Sequence, residues 1–143
     1  GCKPDVLLKL QNHHNGFYRV KFDLWVPAHR SAYFNIQKTL TTYNSNNEFG
    51  GEVYFYNNGS GQVKIAGRTY HFNYPHARWF KVEIAANLWG QTSLYVNGYR
   101  VTTYPTRYSS TSTYGNTRMQ AIDFYTPYTD SDFYLDNVSV TDY

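Results

Sequence analysis

The segment FYRVKFDLWV, residues 17–26, decides the fold class because polar and apolar side chains alternate along it. Successive side chains of a β-strand point to opposite faces, so this pattern predicts a strand with one buried face. The buried face would carry Val20, Phe22, Leu24 and Val26, and the outer face Arg19, Lys21, Asp23 and Trp25. Rings, charges and hydrogen-bonding groups together make the outer face a candidate binding surface.

Two further segments repeat this pattern and extend the candidate surface. Their outer residues are Tyr33, Asn35 and Gln37 in residues 31–37, and Glu52, Tyr54 and Tyr56 in residues 52–56. Near the C-terminus, Tyr125 follows the inward-facing Ile122 and Phe124 and would join them. If these strands share one sheet, their outer faces form a single platform of flat rings and planar amides. Such a platform is typical of sugar-binding surfaces.

Short strand patterns separated by turn signals continue through the whole chain and predict an all-β protein. We expect strands near 5–11, 17–26, 31–38, 51–57, 61–66, 68–74, 79–86, 92–97, 99–104, 118–126 and 132–141. Asn97-Gly98 has the composition of a two-residue hairpin loop. A second sheet is expected from the apolar residues Val63, Ile65, Phe80, Val82, Ile84, Leu94 and Val96. The predicted fold is an antiparallel β-sandwich of two sheets.

Length and composition limit the other possibilities. At 143 residues the chain is expected to form one domain over residues 1–143. A formal charge of +3 without any basic run argues against a nucleic-acid partner. The apolar run at residues 6–8 is too short for a membrane span. Cys2 is the only cysteine, which excludes an internal disulfide and leaves a link to another chain open.

Six segments together resemble a known domain family. They are DVLLKLQNHHNGFYRVKFDLWVPAHRSAYFNIQ (5–37), EFGGEVYF (48–55), RWFKVEI (78–84), LYVNG (94–98), AIDFY (121–125) and FYLDNVSV (133–140). The succession resembles the concanavalin A-like lectin/glucanase jelly-roll domain of secreted, multidomain proteins of Bacteroidetes-type bacteria. The resemblance implies a jelly-roll sandwich, an extracellular or cell-surface location and glycan binding, although some members of the fold class are hydrolases or lyases. Family members generally have additional strands before the position of Asp5, which implies either a smaller sandwich here or an edge covered by another chain.

Catalytic residues are scarce. A retaining glycosidase needs two carboxyl groups about 5 Å apart. The best pair is Asp23 with Glu52, and the alternative role for both is a salt bridge with Arg19 or Lys21. Tyr54, Gln37 and Arg19 supply the residue types of a lyase without the family motifs. We therefore expect a non-catalytic protein, with a cryptic glycanase or polysaccharide lyase as a third hypothesis.

Metal ligands are equally sparse, and no cofactor is expected. Asp130, Asp132 and Asp136 cluster near the last strand, where hard oxygen ligands could form a structural Ca²⁺ site. The alternative is that these residues simply form a turn. His13 and His14 lie in a predicted turn, and no histidine spacing resembles a zinc site.

Two functional hypotheses follow. The first is a non-catalytic extracellular module that binds a polysaccharide on the aromatic and polar strand faces, with Arg19 or Lys21 favouring an anionic sugar. The second is a structural subunit of a self-assembling extracellular filament, adhesin or surface layer, in which copies of the chain contact one another through strand edges. Tyr, Trp and Arg are enriched in both kinds of surface.

Overall fold

Eleven strands make up the regular structure of the described residues. The computed structural model describes residues 6–10, 16–38, 49–113 and 115–142. The strands are β1 (Val6–Lys9), β2 (Phe17–Trp25), β3 (Ala32–Gln37), β4 (Phe49–Phe55), β5 (Ser60–Ile65), β6 (Arg68–Asn73), β7 (Trp79–Asn87), β8 (Gln91–Val96), β9 (Tyr99–Pro105), β10 (Ala121–Phe124) and β11 (Tyr134–Asp142). All eleven predicted strands are present, with ends that differ by three residues or fewer. The described part of the chain contains no helix that could cross a bilayer.

The strands form two antiparallel sheets that pack face to face. The order is β1-β10-β3-β4-β5-β6 in the six-stranded sheet and β11-β2-β7-β8-β9 in the five-stranded sheet. The predicted fold class, an all-β sandwich of two antiparallel sheets, is therefore confirmed. Two-residue loops close some of the hairpins. Asn97 and Gly98, with φ of 52° and 84°, join the paired residues Val96 and Tyr99 as predicted.

The assignment of strands to sheets differs from the prediction in two places. β2 lies in the five-stranded sheet, whereas β3 and β4 lie in the six-stranded sheet. The chain crosses between the sheets through a turn in which the Arg30 N–H donates to the Pro27 carbonyl at 3.0 Å. β5, with Val63 and Ile65, belongs with β4 because a short connection makes them antiparallel neighbours. Alternation identifies which face of each strand is buried but not which sheet the strand joins.

Phenylalanine rings from both sheets fill the space between them. Phe22 of the five-stranded sheet meets Phe34 and Phe124 of the six-stranded sheet edge to face, with centroids 5.5 and 5.1 Å apart. Phe55 and Phe80 make a second contact between the sheets at 5.8 Å. Burying one such side chain contributes about 1.5–3 kcal/mol. This core fixes which side chains of each strand face outward.

Candidate functional site

The predicted site residues divide between two opposite surfaces of the sandwich. Arg19, Lys21, Asp23 and Trp25 lie on the outer face of the five-stranded sheet, which we name the charged face. Tyr33, Asn35, Gln37, Glu52, Tyr54, Tyr56 and Tyr125 lie on the outer side of the six-stranded sheet, which we name the tyrosine face. The core separates the two groups, so the prediction of one continuous platform is wrong.

Strand register sets the order of side chains across the tyrosine face. One row runs from Asp123 through Asn35 and Glu52 to Lys64. The next row runs from Tyr33 through Tyr54 and Gln62 to His71. Asp123, Gln62, Lys64 and His71 were not among the predicted site residues. Placing β5 in the six-stranded sheet would have identified Gln62 and Lys64, because they alternate with the buried Val63.

A hydrogen-bond network joins the polar groups of this face. The hydroxyl of Tyr33 donates to Glu52 Oε1 at 2.9 Å and accepts from Asn35 Nδ2 at 3.1 Å. Tyr54 donates to the same Glu52 oxygen at 3.5 Å. Burial raises the pKa of Tyr54 to about 12, and burial raises the pKa of Tyr33 further still. Both phenols therefore remain neutral hydrogen-bond donors in the physiological pH range.

Tyr33, Asn35 and Gln37 lie beneath the surface rather than on it, with exposed fractions of 6%, 3% and 5%. This burial leaves little of the Asn35 and Gln37 side chains accessible for the direct ligand contact that the sequence analysis predicts. Asn35 Oδ1 and Gln37 Oε1 are buried and receive no hydrogen bond from the described residues. A buried unpaired polar group costs about 1–3 kcal/mol. Such groups are uncommon in native proteins.

Tyrosine rings form a continuous cluster above this polar layer. The rings of Tyr54 and Tyr56 stack at 5.9 Å with 10° between their planes, and Tyr33 lies 4.9 Å from Tyr54. Tyr125 continues the cluster at 6.3 Å from Tyr33, and Tyr128 at 6.5 Å from Tyr56. The last two side chains are 45% and 44% exposed. The cluster therefore presents several ring faces and edges to solvent.

Among the described strand residues, acidic and basic side chains balance on the tyrosine face, and one of the basic ones is Lys9 at the β1 edge. Glu52 and Asp123 lie in the same row as Lys64, whose Nζ is 4.8 Å from the Tyr54 ring centroid. Arg19 and Lys21, which favoured an anionic sugar in the sequence analysis, are on the opposite surface. The reason for expecting an anionic ligand does not apply to this face.

The charged face is occupied by ion pairs within the protein. Arg19 Nε and Lys21 Nζ lie 3.6 and 3.5 Å from Glu83 Oε1, and Lys81 Nζ lies 3.3 Å from Asp23 Oδ1. The amide of Asn137 donates to Asp23 at 2.7 Å, and this hydrogen bond lowers the pKa of Asp23. Trp25 packs against Trp79 with centroids 5.6 Å apart. Asp23 does form a salt bridge, but its partner is Lys81 and not the predicted Arg19 or Lys21.

The catalytic combinations considered from the sequence do not assemble. Asp23 and Glu52 point away from each other on opposite outer faces, so they cannot act together on one glycosidic bond. The lyase set is divided in the same way, with Tyr54 and Gln37 on the tyrosine face and Arg19 on the charged face. The physical reason in both cases is the change of sheet between β2 and β3.

Two of the three aspartates proposed as Ca²⁺ ligands, Asp130 and Asp136, make separate contacts within the protein. Asp130 accepts hydrogen bonds from the Ser31 hydroxyl at 2.6 Å and the Asn57 amide at 2.9 Å. Asp136 accepts from the backbone N–H of Asn137 at 2.8 Å. No group of three or more His, Cys, Asp or Glu side chains able to hold a metal occurs among the described residues. The turn interpretation is supported by the Ser131 N–H, which donates to the Tyr128 carbonyl at 3.1 Å.

Known proteins resemble the chain in fold and not detectably in sequence. No protein-family model matches it, and no curated protein sequence matches it. The Caenorhabditis elegans galectin LEC-6 matches at 14% identity over 98% of this chain and 92% of that chain, with a TM-score of 0.61. Sheep galectin-11 matches at 12% identity over 99% of this chain and 100% of that chain, with a TM-score of 0.62. The binding domain of botulinum neurotoxin serotype D matches at 15% identity over 96% of this chain and 36% of that chain, with a TM-score of 0.60.

These likenesses confirm one part of the sequence-based resemblance, the jelly-roll β-sandwich. At such low identities they carry no information about individual residues, and the secreted, Bacteroidetes-type context stays a prediction. The chain therefore has a galectin-like β-sandwich fold.

Proposed function

We propose that this chain is a non-catalytic carbohydrate-binding module that binds a neutral polysaccharide on the tyrosine face. The direct contacts would come from the accessible side chains Glu52, Tyr54, Tyr56, Gln62, Lys64 and Tyr125. Tyr33, Asn35 and Gln37 would hold them in place from below. The module would act outside the cell or at the cell surface, as the sequence resemblance implies.

The observation that carries this proposal is the combination of stacked rings with fixed hydrogen-bonding groups on one face. Tyr54 and Tyr56 offer parallel rings, while Glu52 is held by two phenol hydroxyls. The apolar C–H surface of a sugar packs on aromatic rings, and its hydroxyls donate to carboxylates and amides. Ligand sites commonly combine aromatic walls with a few placed polar groups in this way. The galectin-like fold supports the proposal, because galectins are lectins.

A neutral sugar is favoured over an anionic one by charge. Glu52 and Asp123 would repel sulfate or uronate groups, and strand register places Lys64 in their row. Lys9 lies away from them, in the row of Gln37 at the β1 edge of the sheet. The contact of Lys64 with the Tyr54 ring also engages it within the protein.

A glycan array tests the proposal directly. The wild-type protein and the variants Tyr54→Ala and Trp25→Ala would be applied to neutral, uronate-containing and sulfated oligosaccharides. We expect the wild type and Trp25→Ala to bind the same neutral glycans and Tyr54→Ala to lose them. Trp25 is the matched control, because it is an aromatic side chain on the opposite surface. Binding that survives Tyr54→Ala and disappears with Trp25→Ala would move the site to the charged face.

Self-assembly is a second candidate function, favoured by one edge of the sandwich. The edge strands β6 and β9 of the two sheets contact each other along one side of the sandwich. The other two edge strands, β1 and β11, therefore lie along the opposite side. Val6 of β1 is 47% exposed, and Val138 and Val140 of β11 are 44% and 39% exposed. Exposed apolar edge strands readily pair with other chains.

Analytical ultracentrifugation with negative-stain imaging at several concentrations separates the two functions. A subunit of a filament or surface layer should form regular polymers that Val138→Lys weakens. A carbohydrate-binding module should sediment as discrete particles whose size does not grow with concentration.

A further inference from the structure

An open groove continues from the tyrosine face beyond the ends of β3 and β4. It encloses about 580 Å³, and Tyr56, Asn57, Tyr128, Asp130 and Ser31 contribute to its lining. Pockets that bind small organic ligands commonly span about 300–1,000 Å³. Tyr56 belongs to both regions, because its ring stacks on Tyr54 and also lies 6.5 Å from Tyr128. The groove is thus an extension of the candidate binding face.

The wall formed by residues 127–131 is held in place by a compact set of polar contacts. Asp130 accepts from the Ser31 hydroxyl at 2.6 Å, and the Ser31 N–H donates to the Asp130 carbonyl at 3.2 Å. The Ser131 hydroxyl accepts from the Tyr128 N–H at 3.2 Å and lies 3.2 Å from the Ser31 hydroxyl. Ser31 and Ser131 are fully buried. A wall fixed before binding loses little conformational entropy when a ligand enters.

The chemistry of the groove matches a neutral polyol. Two phenol rings inclined at 44° form its apolar walls. Each oxygen of the Asp130 carboxylate accepts one hydrogen bond from the protein, which leaves further lone pairs for ligand hydroxyls. No ion pair of Asp130 with a cationic side chain occurs in the described ranges. Within those ranges its side-chain partners are the neutral donors Ser31 and Asn57, so an anionic ligand here would meet a carboxylate without a nearby cation to offset the repulsion.

We propose that this groove is a second sugar subsite, so that the protein binds an internal stretch of a neutral polysaccharide chain rather than an isolated sugar. One sugar unit packs on Tyr54 and Tyr56 of the tyrosine face. The next part of the same chain passes over Tyr56 into the groove, between Tyr56 and Tyr128, and donates hydroxyl hydrogens to Asp130. This inference rests on the proposed function, because the groove extends that site.

Oligosaccharide length provides the test. Calorimetric titration would compare disaccharides with hexasaccharides of the cello-, xylo-, manno- and β-galacto- series. The proteins would be the wild type, Tyr54→Ala, Tyr128→Ala, Tyr128→Phe and Tyr99→Ala. Tyr99 is a matched control, since it is 77% exposed and lies in β9 of the other sheet.

We expect the wild type to bind the hexasaccharide of one series about tenfold or more tightly than its disaccharide, which corresponds to about 1.4 kcal/mol. Tyr128→Ala should lose that advantage and keep the disaccharide affinity. Tyr128→Phe and Tyr99→Ala should behave as the wild type, because the first keeps the ring and the second lies elsewhere.

Each contrary result has a distinct meaning. The groove subsite is refuted if the wild type binds disaccharide and hexasaccharide with equal affinity, or if Tyr128→Ala keeps the preference for the hexasaccharide. In either case the proposed function still stands if Tyr54→Ala abolishes binding. If Tyr128→Ala abolishes binding and Tyr54→Ala leaves it unchanged, the groove is a sugar site and the proposal that sugar binds on the tyrosine face is refuted. Failure of every series to bind at either length refutes both.

Discussion

The substitution Tyr33→Phe removes one hydroxyl from the centre of the buried network. That hydroxyl donates to Glu52 Oε1 at 2.9 Å and accepts the amide hydrogen of Asn35 at 3.1 Å. Asn35 is 3% exposed, and in the part of the chain that the structure describes its Oδ1 receives no hydrogen bond. In the variant, Asn35 Nδ2 would lose its Tyr33 partner, and Asn35 Oδ1 already lacks a partner among the described residues.

The expected destabilisation follows from those contacts. A buried group left unpaired costs about 1–3 kcal/mol, and loss of the hydrogen bond to the Glu52 carboxylate adds to this cost. The variant no longer has to bury the Tyr33 hydroxyl, and the desolvation cost that it avoids offsets part of this destabilisation. We expect a net loss of about 2 kcal/mol in the free energy of unfolding. For a chain of this length that corresponds to a fall in Tm of about 6–8 °C.

Tyr54→Phe is the matched control for this prediction. Tyr54 lies in the neighbouring strand and is only partly buried, and its hydroxyl is 3.5 Å from the same Glu52 oxygen. A hydrogen bond this long contributes little, so its loss should cost less than about 0.5 kcal/mol. Urea denaturation followed by tryptophan fluorescence measures both variants. Equal stability of the two variants would refute the account of the network beneath the tyrosine face.

Three further predictions concern other parts of the fold. Lys38 is 1% exposed and its Nζ donates to the carbonyls of Thr106 at 2.8 Å and Asn116 at 2.5 Å, so Lys38→Met should cost about 3 kcal/mol in urea denaturation. The exposed Lys81→Met should cost less than about 1 kcal/mol, and similar losses for both would contradict this reasoning. Burial raises the pKa of five tyrosines above the value of about 10 that unfolded chains have. They are Tyr33, Tyr54, Tyr56, Tyr74 and Tyr104. Only the unfolded state then releases these protons above pH 10, so the stabilisation is complete below about pH 10 and is lost as pH rises through the folded-state pKa values. Scanning calorimetry should give a lower Tm at pH 11 than at pH 9, and an unchanged Tm would contradict the assignment. Gly98 has a φ of 84°, and no described residue lies within 4 Å of a carbon added there, so Gly98→Ala should cost about 1 kcal/mol from backbone strain alone.

The strands of this fold could be predicted from the sequence because each one alternates. In β2 the buried residues Val20, Phe22 and Leu24 follow the period of two that their positions predict. Alternation predicts the ends of strands less well than their centres: β10 spans Ala121–Phe124, whereas the sequence pattern predicts a strand over 118–126. The partner sheet of each strand could not be predicted, because a strand with one apolar face fits either side of a sandwich equally well.

The candidate site was predicted in part for the same reason. Glu52, Tyr54 and Tyr56 were correctly placed together, because they share one strand and its alternation. Arg19 and Trp25 were placed with them only by the assumption of a shared sheet. Tyr128 was missed altogether, because it lies in a turn, where no periodicity connects it with Tyr56. The burial of Asn35 also follows from packing between strands and has no signal in the local sequence.

The location of bound sugar is the central claim, and an NMR titration tests it most directly. A ¹⁵N-labelled sample would be titrated with the neutral oligosaccharide that binds most strongly on the array, and the amide shifts would be mapped onto the two sheets. The account predicts shifts in β3, β4 and β5 and in residues 125–130, with β2 and β7 unchanged. Shifts confined to β2, β7 and the Trp25–Trp79 pair would contradict it and place binding on the charged face.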